Sequence, residues 1–200
     1  MKKLVLNCCL LSCICIFQGC NSGSETNNKD SIDSAQSMND STKKKSDSGS
    51  ANTPQQPVDN MSSDFAVKAA SAGMMEVQLG QIAQEKAVSQ RVKDFGSMMV
   101  LDHIKANNDL KSRAASLNIT LPSAPGEDEQ KMIDRLSKKT GKDFDKSYMN
   151  IMLQDHKKDI AEFKNASDKC NNPSIKDFAT QALPVLEKHL DSAQAITGQK

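Results

Sequence analysis

From residue 63 onward, apolar and small residues return every three or four positions, with no sustained alternation at every second position. A 3.6-residue period gathers them on one stripe of a helix, so this stretch is confined to helices that bury one face against each other. Ser63 and Asp64 offer an N-cap for a first helix striped by Phe65, Ala69, Ala72, Leu79, Ala83 and Ala87. Ser89 offers a cap for a second, with Val92, Phe95, Met99, Ala106, Leu110, Ala114 and Leu117 on its stripe. The segment 118–126 contains two prolines and a glycine and ends that helix. A short amphipathic helix is expected near 127–139, carrying Met132, Ile133 and Leu136 and stopped by Gly141. Asp143 opens a third long helix (Met149, Met152, Leu153, Ile160, Phe163), and Asn171-Asn172-Pro173-Ser174 breaks it. The fourth carries Ile175, Phe178, Ala182, Leu186, Ala193 and Ile196, with a kink expected at Pro184. Helices of about 24–29 residues whose stripes stop at each turn predict an all-α antiparallel four-helix bundle over 63–197, with a short extra helix between helices 2 and 3.

The chain before residue 63 has another character. Lys2 and Lys3 precede an apolar run from Leu4 to Phe17, followed by Gln18, Gly19 and Cys20. A basic start, a short apolar run and a small residue before Cys form the layout of a secretory signal, and the run is too short for a transmembrane helix of about 20 residues. The ending resembles a bacterial lipobox, which makes 1–19 the expected signal peptide and Cys20 the expected lipidated residue. Cys13, preceded by Leu10-Leu11-Ser12, fits the box but leaves a shorter apolar run, and an ordinary secretory signal is the other reading. If Cys20 is acylated, Cys170 is the one remaining thiol of the mature chain, which leaves no intrachain disulfide. Residues 20–62 are then expected to be the lipidated Cys and a disordered tether, because Ser, Asn, Asp, Lys, Gly and Thr dominate and too little apolar surface is available to offset ordering. As a coil it would span on the order of 35–40 Å.

Charge excludes one class of partner. The chain holds 26 Lys and Arg against 25 Asp and Glu, and no Trp. That balance, with Tyr148 the single tyrosine, gives neither a basic footprint nor a stacking surface for nucleic acid.

Ionisable residues interrupt the apolar stripes. Glu76 lies between Ala72 and Leu79, His103 between Met99 and Ala106, His156 between Leu153 and Ile160, and His189 between Leu186 and Ala193. These are all three histidines of the chain. Counted from the expected helix starts, each lies about 18–22 Å along its helix, so an antiparallel bundle brings all four to one level. Buried ionisable groups are costly unless paired or bound to metal, and three imidazoles with a carboxylate suit Zn, Cu, Fe or Mn. Met-x-x-Asp-His occurs twice, ending at His103 and at His156. Asp102, Asp155 and Tyr148 are candidates to orient the ligands, Met99 and Met152 are candidate soft ligands one turn before their histidines, and Glu187 is a further candidate. The competing readings are a satisfied buried hydrogen-bond network for the cluster and core packing for the methionines.

Several stretches together resemble a bacterial family, the domain of unknown function 4142, often labelled "predicted outer membrane protein". They are Asp64-Phe65, Gly73-Met74-Met75-Glu76, Phe95-Gly96-Ser97-Met98-Met99, Asp102-His103, Gly141-Lys142-Asp143-Phe144-Asp145, Tyr148, Met152, Asp155-His156, Leu183-Pro184 and His189. The resemblance implies a ferritin-like four-helix fold, often in exported or lipoprotein form, and brings no established activity. The chain departs from iron-handling ferritin-like enzymes, which carry Glu-x-x-His pairs. Val100, Leu153 and Leu186 stand three residues before the histidines, so a di-iron oxidase site is not expected.

The leading functional expectation is a lipid-anchored cell-envelope protein, placed at the outer membrane, that binds a transition metal at Glu76, His103, His156 and His189. A structural or stress-related envelope protein with a protein partner and no metal is the alternative, and a single-metal oxidoreductase ranks below both. No phosphate-binding Gly-rich loop, Cys-x-x-Cys pair or Ser-His-Asp order points to an enzyme.

Overall fold

The computed structural model describes residues 30–47 and 58–198. The expected signal peptide 1–19 and Cys20 lie outside the described residues. Among the described residues there are six helices and no strand: α1 (Ser31–Asp47), α2 (Asn60–Lys86), α3 (Gln90–Ser116), α4 (Glu127–Ser137), α5 (Gly141–Lys169) and α6 (Pro173–Thr197). No helix of these is long and apolar enough to cross a membrane.

Helix starts follow from side chains that take up free amides. α2 begins three residues earlier than Ser63, because Asp59 caps it. Its carboxylate accepts the Ser62 amide at 3.0 Å and the Ser62 hydroxyl at 2.6 Å. Asn172 caps α6, accepting the Ser174 and Ile175 amides at 3.0 and 3.3 Å, and Pro173 at the first helical position has no amide to satisfy. Ser89 does occupy the N-cap of α3, but its hydroxyl makes no capping bond. Asp145 of α5 accepts the Val88 and Ser89 amides instead, at 3.1 and 2.9 Å, and ties the two helix starts together. α3 ends with Asn118 in the left-handed region (φ 55°), and the Ile119 and Asn118 amides return to the carbonyls of Ala114 and Ala115. Asn tolerates that conformation because its short polar side chain bonds locally.

Two apolar clusters reveal the topology. One joins Phe65, Leu110, Cys170, Ile175 and Phe178, from the starts of α2 and α6 and the ends of α3 and α5. The other joins Leu79, Phe95, Phe144, Met152 and Ala193, from the opposite ends of the same helices. α2 and α6 therefore run one way and α3 and α5 the other, so each packed neighbour is antiparallel while α3 and α5 are parallel. A crossover makes this geometry close. Residues 117–140 carry the chain back along α2, where the Gly126 amide donates to the Ser71 hydroxyl at 2.8 Å and the Lys86 ammonium to the Ser137 carbonyl. Ile133 and Leu136 of α4 bury in the second cluster. The result is a ferritin-like antiparallel four-helix bundle with its short extra helix in the crossover.

One expectation is corrected. Part of the segment read as disordered tether is α1, a helix docked on the crossover. Few apolar side chains take part, with Ala35 buried and Met38 more than half exposed. The dock is instead made of side-chain bonds to otherwise unsatisfied backbone. Asn39 donates to the Thr120 carbonyl at 3.0 Å and accepts the Thr120 amide at 2.7 Å. Ser31 donates to the Ala124 carbonyl at 3.0 Å, and Asp30 accepts the Glu127 amide at 3.0 Å, supplying α4 with the cap that Gly126 lacks. Gly126 lets Ile32 of α1 pack closely on the crossover: a Cβ there would stand 2.6 Å from Ile32 Cδ1, and that side chain would have to move.

Candidate metal centre

Between the two apolar clusters the bundle carries a polar layer. Glu76 of α2, His103 of α3, His156 of α5 and His189 of α6 are all buried there. Each histidine has one ring nitrogen engaged by an acceptor. His103 Nδ1 pairs with Glu76 Oε2 at 2.9 Å, His189 Nε2 with Asp102 Oδ2 at 2.9 Å, and His156 Nδ1 with the Met152 carbonyl at 3.0 Å. A carbonyl only accepts, so Met152 sets the tautomer of His156, and an ionised carboxylate holds the proton on the nitrogen facing it, so Asp102 and Glu76 set those of His189 and His103 when ionised.

The other three nitrogens are then left as lone pairs, and the fold turns those of His156 and His189 toward each other. The three histidines each offer one nitrogen within 4.8 Å of the others. His156 Nε2 and His189 Nδ1 stand 3.2 Å apart, and buried His103 Nε2 has no hydrogen-bond partner. Two unprotonated imidazole nitrogens at that distance repel unless something positive lies between them. Protonation is disfavoured. Burial, with His103 and His189 nearby, pushes His156 down to about 3 against the pull of its bond to Met152. Burial pushes His103 down to about 4 although Asp102 and Asp155 oppose it, and burial lowers His189 despite its bond to Asp102. Neutral imidazoles are the ligand form. Nitrogens about 2.0–2.1 Å from a tetrahedral ion stand about 3.3 Å apart, which matches the His156–His189 separation.

Glu76 thus orients His103, with its other oxygen 3.6 Å from His156 Nδ1 and without a hydrogen-bond partner. Asp102 orients His189. Asp155 joins a second group, in which Glu76, Asp155 and Asp159 each place a carboxylate oxygen within 4.8 Å of the others. Asp159, buried on α5, was absent from the sequence expectations. Its position one turn after His156 is the signal that would have found it, concealed by the charged run Lys157-Lys158-Asp159. Burial raises Glu76, Asp155 and Asp159 above the usual carboxyl range; repulsion from Asp155 adds to it at Glu76, repulsion from Glu76 and Asp155 adds to it at Asp159, and at Asp155 the pull of Lys158 opposes it.

Tyr148 is fully buried, stacked on Phe144 at 5.9 Å and edge-on to Phe95 at 6.0 Å, with its hydroxyl unpartnered. Burial and nearby Glu76 raise it, so the phenol stays protonated. Met99 and Met152 pack in the second apolar cluster, and the Met152 carbonyl, a backbone group, accepts from His156. Glu187 is not at this layer: it pairs with Lys164 at 3.4 Å on the surface.

A cleft of about 420 Å³ opens between α3 and α6 and reaches the layer. Its walls include Ala69, Ala106, Phe163, Ala182 and Leu186, and its floor includes Glu76, His103, Asp159 and His189. The cleft therefore borders His103 and His189, whereas His156 lies behind them.

A crystal structure of a DUF305 fragment from Deinococcus radiodurans has the same fold, with a TM-score of 0.63 over 72% of this chain and 99% of that one. At 12% identity the likeness is one of fold alone. No curated protein matches the chain. Residues 47–196, three quarters of the chain and including all four long helices but the last residue, match the family described as Domain of unknown function (DUF4142), and the chain belongs to that family.

Proposed function

We propose that this protein binds a transition metal ion through His103, His156 and His189, with a fourth coordination position open to the α3–α6 cleft. The observation that carries this reading is the pair of facing nitrogens, His156 Nε2 and His189 Nδ1, 3.2 Å apart while the other nitrogen of each ring is already committed. Three neutral imidazoles suit Zn(II), Cu(II) or Fe(II), and each has the outer partner that ligating histidines ordinarily have: Glu76, Asp102 or a backbone carbonyl. Glu76 serves this ion by holding His103 in place.

The test is metal content and thermal unfolding of the purified protein, with and without each ion. One tightly held ion per chain, lost in His156→Ala, is the expected result. A chain that takes up no ion and melts at one temperature throughout favours the second reading, a register-fixing polar network in a structural envelope protein. The bonds Glu76–His103 and Asp102–His189, each joining two helices, are the observation behind that alternative.

The N-terminal layout adds the setting: a lipid on Cys20 would hold the bundle at a cell-envelope membrane, placed here at the outer membrane. Cys20→Ser should move the protein from the membrane fraction to the soluble one. Retention in the membrane fraction would reject the anchor.

A further inference from the structure

The histidines leave the three carboxylates of the same layer unexplained. Glu76, Asp155 and Asp159 bring oxygens within 4.8 Å of one another, and Glu76 and Asp159 are buried. Among the described residues, no Lys or Arg forms an ion pair with any of them. Lys158, next to Asp159 in sequence, pairs with Glu162 at the surface at 3.8 Å and attracts Asp155 and Asp159 without contacting them. The orphaned atoms also fall here. Glu76 Oε1, on a side chain 2% exposed, and Asp155 Oδ2 are both buried without a hydrogen-bond partner. His156 Nδ1, 3.6 Å from Glu76 Oε1, gives its proton to the Met152 carbonyl. Buried carboxylate oxygens with neither a donor nor a cation in contact are costly, and three so close cannot all stay ionised unaided.

We propose that Glu76, Asp155 and Asp159 form a second cation site, all oxygen, beside the histidine trio and sharing Glu76 with it. Oxygens around a cation at about 2.1–2.6 Å stand about 3–5 Å apart, so the observed spacing accommodates one ion. The ligand set decides its class. Three carboxylates without imidazole or thiolate select a hard divalent ion such as Mn(II), Mg(II) or Ca(II), with water completing the shell. The scaffold is stiff, because Asp155 and Asp159 sit at i and i+4 on one face of α5. Entry is provided as well, since Glu76 and Asp159 both line the cleft between α3 and α6. Glu76 then has two tasks, one oxygen holding the His103 proton and the other facing the second ion. This inference does not depend on the histidine site being filled.

Mn(II) is the probe. Full-length protein is stripped with chelator, and free Mn(II) is followed by electron paramagnetic resonance during titration, once without other metal and once after one equivalent of Zn(II). One equivalent of Mn(II) should bind in both titrations, with Zn(II) retained in the second. Asp155→Asn and Asp159→Asn should each weaken Mn(II) at least tenfold while circular dichroism and Zn(II) binding stay unchanged. His189→Ala should lose Zn(II) and keep Mn(II). The proposal is overturned if wild-type protein binds no Mn(II), which would mean the carboxylates are neutralised by protons. It is equally overturned if Mn(II) and Zn(II) displace each other one for one, or if both Asn variants bind Mn(II) as wild type does. Mn(II) uptake by a chain that holds no Zn(II) would reject the histidine reading alone.

Discussion

Helix α3 has two long seams, and they are built on opposite plans. Against α2 the backbones nearly touch: a Cβ on Gly80 would stand 2.7 Å from the Gly96 carbonyl oxygen, and one on Gly96 would stand 2.8 Å from that of Gly80. Against α6 the helices stand apart around the cleft and are joined by polar bridges. Arg91 donates to the Ala195 carbonyl at 2.8 Å near one end, Asp102 and His189 meet at 2.9 Å in the middle, and Arg113 donates to the Ser174 carbonyl at 2.8 Å and to Asp177 at 2.9 Å near the other end. A seam closed by glycines gives cohesion without access. A seam held by bridges leaves a path to the polar layer, and one of its bridges, Asp102–His189, belongs to the candidate site.

The largest expected effect separates the two. At a free metal concentration about 1,000 times Kd, binding at the histidines stabilises the native state by about 4 kcal/mol. That increment should vanish in His189→Ala and persist in Gly80→Ala, measured as the metal-dependent rise in melting temperature. Loss of the increment in both variants would mean that the seams are not independent.

Removing Asp102 comes next. Asp102→Ala leaves His189 without the partner that fixes its tautomer, and outer partners of this kind are worth about 10–100-fold in metal affinity. Competition with a chromophoric chelator reads that loss directly. An unchanged Kd would show that His189 is oriented by packing alone.

Gly80→Ala itself should cost about 1–2 kcal/mol of stability in denaturant titration. The added methyl favours the helix by up to about 1 kcal/mol. It also meets the Gly96 carbonyl oxygen at 2.7 Å and Val100 Cγ2 at 2.9 Å, and backbone in a packed seam does not yield cheaply. Net stabilisation would show that the glycine seam has slack.

Sequence periodicity made the four long helices legible because each buries a stripe, and the same stripes located Glu76, His103, His156 and His189 at one level. It could not separate the roles of these four. Which nitrogen of a histidine faces its neighbours depends on rotamers and on acceptors such as the Met152 carbonyl, and neither leaves a mark in composition. Asp159 was hidden because a buried carboxylate beside Lys157 and Lys158 looks like part of a solvated face. α1 was hidden for a different reason. Its hold on the crossover comes from Asn39, Ser31 and Asp30 bonding to backbone, and bonds of that kind have no period. A polar segment was therefore read as tether although its side chains supply amides and carbonyls with partners they would otherwise lack.

The smallest expected effect probes what the bridges of the open seam do. Arg113 lies between helices, its guanidinium bonded to Asp109 of α3 and across the seam to Ser174 and Asp177, both carboxylates being about half exposed. Exposed ion pairs of this sort contribute about 0.2–1 kcal/mol, so Arg113→Met, which keeps much of the apolar stem, should lower stability by no more than about 1 kcal/mol. Its kinetic effect should be larger than that figure suggests. The bridge borders the cleft through which an ion bound at the proposed site would pass, and loosening it should ease opening of the seam without touching a ligand. Metal release to excess chelator should then quicken several-fold while the equilibrium Kd stays within about twofold, because entry and exit use the same path. Gly80→Ala, on the closed seam, should leave the release rate unchanged. Equal acceleration in the two variants would mean that ions reach the layer by general loosening of the bundle, and the distinction between the seams would then be one of packing alone.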